Sequence, residues 1–210
     1  MQGTANRKLN MQKLLAPAAL VILYVFFSIF GKNFFGYEGF KQILQSSYYI
    51  GFMAFGVTFV IITGGIDLSI GTVMMCSAII GGTAFTNWGW PVPLALVLVL
   101  ISCLFFGFCN GMMIAKAKLP PFIATLGTMM VSQGFGSIIS NVRTMHYSPT
   151  YVGDWFRPVF YISGNFPVGA IWLLGAFIIA AFVLNKTRLG RYNFAIGSNE
   201  EAARLSGVKT

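Results

Sequence analysis

Residues 42–115 read QILQSSYYIGFMAFGVTFVIITGGIDLSIGTVMMCSAIIGGTAFTNWGWPVPLALVLVLISCLFFGFCNGMMIA. Between Lys41 and Lys116 the sole charged side chain is Asp67. One bilayer crossing takes about 20 apolar residues, so this run is long enough for three. Soluble domains carry about 25% charged residues. This chain of 210 residues carries 9%, is 56% hydrophobic and has a mean hydropathy of +0.74. The composition points to a polytopic membrane protein of the all-α class, a bundle of transmembrane helices.

Working outward, the expected membrane segments are 14–30, 43–63, 68–85, 94–115, 121–140 and 167–184, six in all. Residues 1–13 form a polar, basic N-terminal tail, 14–186 the transmembrane region and 187–210 a polar, charged tail. Pro17 is expected in the first turn of the first helix, where proline does little harm. The basic start and apolar run look like a signal peptide. However, Phe30–Phe35 (FGKNFF) offers no small-x-small cleavage site, so a retained first span is expected. Residues 31–42 are expected as a loop, and 87–93 (NWGWPVP) as an interfacial turn carrying two tryptophans.

Six crossings put both ends on one side, and the basic residues choose the side. With the N-terminus inside, ten Lys/Arg are cytoplasmic and four are outside, namely Lys32, Lys41, Arg143 and Arg157. The positive-inside rule then places the N-terminus and the polar tail in the cytoplasm. The net charge of +9 is accounted for by these short loops and does not call for nucleic acid. Cys76, Cys103 and Cys109 lie in apolar segments and read as small buried hydrophobes. His146 is the only histidine, which excludes a multi-histidine metal site.

Several polar residues interrupt the apolar segments. Gly64 and Gly65 break a run that could otherwise continue as one helix, and Asp67 is placed to cap the next helix through the N–H of Ser69 or Ile70. A capped re-entry turn is one reading. A hinge or pathway residue is the other, since an ionisable group beside lipid is costly. In 121–140, Thr125, Thr128 and Ser132 recur at helical spacing with Gln133 beside them, and Gly127 and Gly134 are seven apart. Close helix packing and a polar lining for a solute path are both open. Asn110 carries the same two readings. The aromatics of 141–166 (Tyr147, Tyr151, Trp155, Phe156, Phe160 and Tyr161) suit a headgroup-level segment or an external docking surface.

The tail, residues 187–207, reads TRLGRYNFAIGSNEEAARLSG. Ser198 with Glu201 has the spacing of a capping box, and Gly207 is placed to end the helix in a left-handed conformation. Glu200 and Arg204 are four apart and can pair, while Ala202, Leu205 and Val208 leave a narrow apolar edge. So short a helix is unstable alone. A groove on a partner, with Ala202 and Ala203 as the small knob, is the favoured seat over a solvated cytoplasmic helix after the last span.

Three stretches together resemble one family: GGIDLSIG (64–71), NGMMIAKAKLPPFIATLGTM (110–129) and TRLGRYNFAIGSNEEAARLSGV (187–208). They are similar to the permease subunits of bacterial ABC importers for ribose, galactose and related simple sugars. The resemblance runs in order along nearly the whole chain after the N-terminus. It implies a multi-pass protein of the cytoplasmic (inner) membrane, set in the lipid bilayer. It also implies a second permease subunit, of the same or a different chain, an extracytoplasmic sugar-binding protein and a cytoplasmic ABC ATPase. On this resemblance the 190–207 stretch is the coupling helix seated in the ATPase. Asn199, Glu200, Ala202, Ala203, Arg204, Leu205 and Gly207 are the expected contacts, and Gly197 is the expected turn into the helix. ATP and magnesium would be held by the ATPase, since this chain has no GxxxxGK[ST] phosphate loop. Members of the family continue through further membrane segments, so the chain corresponds on this resemblance to the N-terminal part of such a permease, truncated after the coupling helix.

The resulting expectation is a non-catalytic permease subunit of an ATP-driven sugar importer. The alternative is an ion-coupled secondary transporter or channel subunit, a class that places ionisable groups within its spans. Only Asp67 is available for that role. A membrane enzyme has no catalytic set to support it. The solute could be ribose, galactose, xylose or a sugar-like signalling molecule.

Overall fold

The computed structural model describes residues 11–32, 34–143, 158–159 and 166–208, with side chains from Leu14 onward. Among the described residues its elements are helices: α1 (Met11–Phe30), α2 (Tyr37–Ile62), α3 (Ile70–Thr86), α4 (Val92–Ala115), α5 (Pro121–Ser140), α6 (Gly169–Lys186), α7 (Arg188–Ser198) and α8 (Glu200–Leu205). The chain divides into two compact units, Met1–Ser47 and Tyr48–Thr210.

In the first unit α1 begins at Met11, which puts Pro17 inside the helix and not in its first turn. Phe34 packs near Tyr24 and Phe27, with ring centroids 5.6 and 5.7 Å away, and so folds the chain back after α1. The expected loop at 31–42 is shorter than its polarity implies, because α2 already starts at Tyr37. Glu38 sits in that first turn, where the helix dipole favours a carboxylate. It pairs with Lys41 at 2.6 Å.

The second unit is built around α3. Cys76, Ser77, Ile80 and Ala84 are all buried, because α4 and α5 both pack against this helix. Small residues set the approach. A methyl group on Gly81 would stand 2.3 Å from the Val99 side chain of α4. Gly136 of α5 lies against the Cys76 backbone of α3. The buried stripe of α5 is Thr125, Thr128, Ser132, Gly136 and Ser140. Gly127 and Gly134 instead face open space, and Gln133 is exposed, so neither the expected glycine pair nor Gln133 belongs to the packed face. The helical repeat is the reason: Gly136 is four residues from Ser132 and shares its face, whereas Gly134 does not.

Helix α6 runs alongside α2 in the same direction. Gly169 meets Tyr48, Leu173 meets Gly51, and Phe177 packs on Phe55 at 5.8 Å. Both helices therefore end at the same end of the bundle. There the last turn of α4 and the first turns of α3 and α5 also meet, as the contacts of Asn110 and Thr125 show below. Prolines fix the starts of two helices: α4 follows Pro91, and α5 opens on Pro121 with Pro120 as its cap residue.

Among the described residues, four helices (α2, α4, α5 and α6) are long and apolar enough to cross a membrane. The apolar stretches Leu14–Phe30 and Ile70–Thr86 are shorter. The outer faces are rich in apolar side chains such as Leu100, Leu104, Phe108 and Ile138. Contiguous apolar surface of this kind is foreign to a soluble monomer and is what an integral membrane protein presents to lipid. The aromatics expected at headgroup level between 144 and 165 lie outside the described residues.

Candidate functional site

The break between α2 and α3 is an ordered joint. Gly64 has φ +78°, its N–H donates to the Ile61 carbonyl at 2.9 Å, and Gly65 N–H donates to the Val60 carbonyl at 3.0 Å. That paired arrangement is a Schellman cap, which satisfies carbonyls that a broken helix would leave bare. Asp67 then accepts from the N–H of Ser69 at 2.8 Å, as its position implies. Its carboxylate also accepts from the Ser69 hydroxyl at 2.7 Å.

From Asp67 a buried polar chain crosses three helices. Asn110 of α4 donates through Nδ2 to Ser69 Oγ at 2.9 Å. The Thr128 hydroxyl of α5 donates to Asn110 Oδ1 at 2.5 Å. Every donation runs towards the carboxylate of Asp67. A second link joins the same elements: Leu68 N–H donates to Thr125 Oγ1 at 3.2 Å. A third joins Ser132 Oγ of α5 to Thr72 Oγ1 of α3 at 2.9 Å. Ser69 is 1% exposed and Asn110 8%, so leaving any of these groups unpartnered would be costly.

Gly64, Gly65, Asp67, Asn110, Thr125, Thr128 and Ser132 thus lie at one end of the α3–α4–α5 group, and Gln133 does not. Ser69 and Thr72 complete the set. Their signal in the sequence is their place one turn apart after Asp67. A cleft of about 230 Å³ opens beside the chain, lined by Asp67, Ser69 and Asn110 and by apolar side chains that include Met53, Met74 and Cys103.

The tail forms two helices at the same end. The chain leaves α6 through Thr187, whose hydroxyl oxygen caps α7 by accepting from Gly190 N–H. A methyl group on Gly190 would fall 1.9 Å from the Leu184 carbonyl oxygen, so α7 folds tightly onto the end of α6. Asn193 donates through Nδ2 to the Phe59 carbonyl of α2 at 2.9 Å. A methyl group on Gly197 would stand 1.8 Å from the Ile62 carbonyl oxygen. Gly190, Asn193 and Gly197 make one inner stripe at helical spacing. Through it α7 seats on the last turns of α2 and α6, immediately before the Gly64 joint.

Several details of the tail differ from the sequence expectation. Gly197 lies inside α7 and is not the turn; its lack of a side chain serves the contact with α2. The turn is at Asn199, whose backbone is extended and whose Oδ1 accepts from Ala202 N–H at 3.0 Å. Asn199 therefore caps α8 in place of Ser198, which is still helical in α7. Arg204 pairs with Glu201, three residues away, at 2.6 Å, and not with Glu200. Of the two alanines, Ala203 is turned inward and Ala202 is exposed. Leu205 is 82% exposed, an apolar side chain held out on a six-residue helix. Gly207 has φ +88°, and its N–H and that of Val208 donate to Arg204 and Ala203, the same cap as at Gly64.

The sequence family described as "Branched-chain amino acid transport system / permease component" matches residues 39–210. The chain is 38% identical to the ribose import permease protein of Bacillus subtilis over 95% of its own length and 61% of the relative's. It is 34% identical to the fructose import permease protein of Rhizobium meliloti, over 92% of this chain and 57% of that one. It is 31% identical to an autoinducer 2 import system permease protein of Salmonella typhi, over 96% and 57%. The chain thus spans less than two-thirds of the length of these relatives. No solved structure matches it. A lipid-suited helical bundle and a match over 39–210 agree, and the chain belongs to this family of membrane transport permease components.

Proposed function

We propose that the chain is part of the permease of an ATP-driven importer of sugars or sugar-like solutes in the bacterial inner membrane. The relatives above are named for ribose, fructose and autoinducer 2, and this favours a small polyhydroxylated solute over the amino acids of the family description. In this reading the N-terminus and the end of the bundle carrying α7 and α8 face the cytoplasm, and α1 to α6 provide six crossings. The α7–α8 end supports that orientation by carrying Lys116, Lys118, Lys186, Arg188, Arg191 and Arg204. A cytoplasmic ATPase holds ATP and magnesium, a second permease subunit completes the path, and an extracytoplasmic binding protein delivers the solute.

The observation that carries this reading is the seat of α7 on α2, formed by Asn193 on Phe59 and Gly197 on Ile62. It gives a mechanical route. Helix α8 presents Ala202 and Leu205 to the ATPase. Closure of the ATPase pair displaces α8 and α7 together. Because α7 touches α2 through backbone, the displacement reaches the Gly64 joint with little slack. The joint bears on Asp67 and Ser69, hence on Asn110 and Thr128, and the cleft beside them changes shape. Solute access then alternates between the two sides of the membrane.

Ala202→Asp tests this in the intact permease. Ala202 is exposed, so the chain's own packing is spared. The ATPase is expected to be lost from the purified complex and solute uptake to stop. Unchanged co-purification and uptake would remove α8 from the coupling role.

A further inference from the structure

Helix α7 has a second face. About a quarter turn round α7 from the Gly190–Asn193–Gly197 stripe, Leu189 and Tyr192 are one turn apart and exposed, and Ile196 continues the row half-buried. Lys186, Arg188 and Arg191 are exposed beside them. Helix α7 contains no Asp or Glu. Among the described residues no carboxylate pairs with any of these three cations, and the Glu201 carboxylate of α8 is engaged by Arg204.

The position of this face is set by the chain. Helix α6 is one of the apolar helices long enough to cross a bilayer, and only Thr187 separates it from α7. Helix α7 also rests on the last turn of α2, another such helix. It therefore lies at the level where hydrocarbon gives way to headgroups. An amphipathic helix there buries its apolar row at the acyl boundary and leaves its cations among the phosphates. We propose that α7 is an interfacial helix whose Lys186–Arg188–Arg191 cluster binds the phosphate of an anionic phospholipid headgroup. The bound lipid presses α7 onto α2 from outside, while Asn193 and Gly197 hold it from within. This rests on the chain being an integral membrane protein and not on the sugar or ATPase reading.

The test uses the intact permease in nanodiscs of phosphatidylcholine with phosphatidylglycerol, without partner proteins. Spin-labelled versions of the two lipids report their relative association with the protein. Wild type should prefer phosphatidylglycerol, and R188Q/R191Q should lower that preference by about five-fold per residue, the scale for one basic residue near an anionic surface. R188K/R191K should restore it. Excess inorganic phosphate should leave it unchanged, because the apolar row contributes to binding. K116Q/K118Q, which removes two exposed cations from the α4–α5 turn, should also leave it unchanged. An unaltered preference in R188Q/R191Q overturns the proposal and assigns this face to a protein partner. Equal loss in K116Q/K118Q overturns it in favour of diffuse charge.

Discussion

Gly197→Ala is the sharpest perturbation of the proposed lever. The added methyl carbon would lie 1.8 Å from the Ile62 carbonyl oxygen and 3.4 Å from Thr63 Cα. The obstacle is backbone, so no side-chain rotation relieves it. Ordinary contact begins near 3.4 Å, so α7 must withdraw from α2 by about 1.6 Å at this point. Such a shift takes the Asn193–Phe59 hydrogen bond, now 2.9 Å, out of range. Overpacking a well-fitted contact costs about 1–3 kcal/mol, which is roughly a 5- to 150-fold change in the seated population of α7. The bundle itself should remain folded, since α3, α4 and α5 do not contribute to this seat. The assay is solute uptake per ATP hydrolysed by the assembled transporter. Gly134→Ala serves as the control, because a methyl group there meets nothing within 4 Å. Uptake per ATP should fall at least five-fold in Gly197→Ala while the ATPase still co-purifies. Normal coupling in Gly197→Ala would show that force does not pass through this contact.

Three further outcomes follow from the geometry. Asn110→Ala should destabilise the bundle by about 1–2 kcal/mol in thermal unfolding, since it strands the buried Thr128 hydroxyl. Adding Thr128→Val should recover part of that loss, and simple additivity would mean that the two do not share a bond. Asp67→Asn should unfold within about 0.5 kcal/mol of wild type, because asparagine can still accept from Ser69 N–H. Asp67→Leu should lose about 1–2 kcal/mol, and equal behaviour of the two variants would deny Asp67 its capping role. Gly136→Leu should cost about 1–3 kcal/mol against the Cys76 backbone, whereas Gly134→Leu should be near neutral; the reverse order would contradict the packing of α5 on α3.

Much of the helical layout is legible in the chain because its punctuation is strong. Pro120 and Pro121 open α5, and the polar run from Asn141 closes it, so its expected and observed limits coincide. Helix α2 starts six residues before its expected limit, because Tyr37–Gln42 is too polar to read as membrane segment yet continues the helix. The caps are less legible. Ser198-Asn199-Glu200-Glu201 offers two cap residues within one turn, and only the path of α7 along α2 decides for Asn199. The polar chain at the joint illustrates a different limit. Asp67, Asn110 and Thr128 are visible as polar residues in apolar helices. Ser69 and Asn110, however, are 41 positions apart, and their bond depends on helix register that no local pattern encodes. Asn193 gives no signal at all, since one asparagine in a polar tail has no reason to stand out. Its partner is a backbone carbonyl 134 positions away.

In the proposed function α8 is a cytoplasmic handle gripped by a nucleotide-hydrolysing neighbour. Ala202→Cys in the intact transporter, cross-linked in membranes with a short bifunctional thiol reagent, tests it directly. An ATPase-containing adduct whose yield changes on adding ATP is expected, with the thiol introduced at position 202 protected from impermeant reagents applied outside the cell. Labelling from outside, or a thiol that cross-links to no ATPase, would contradict it.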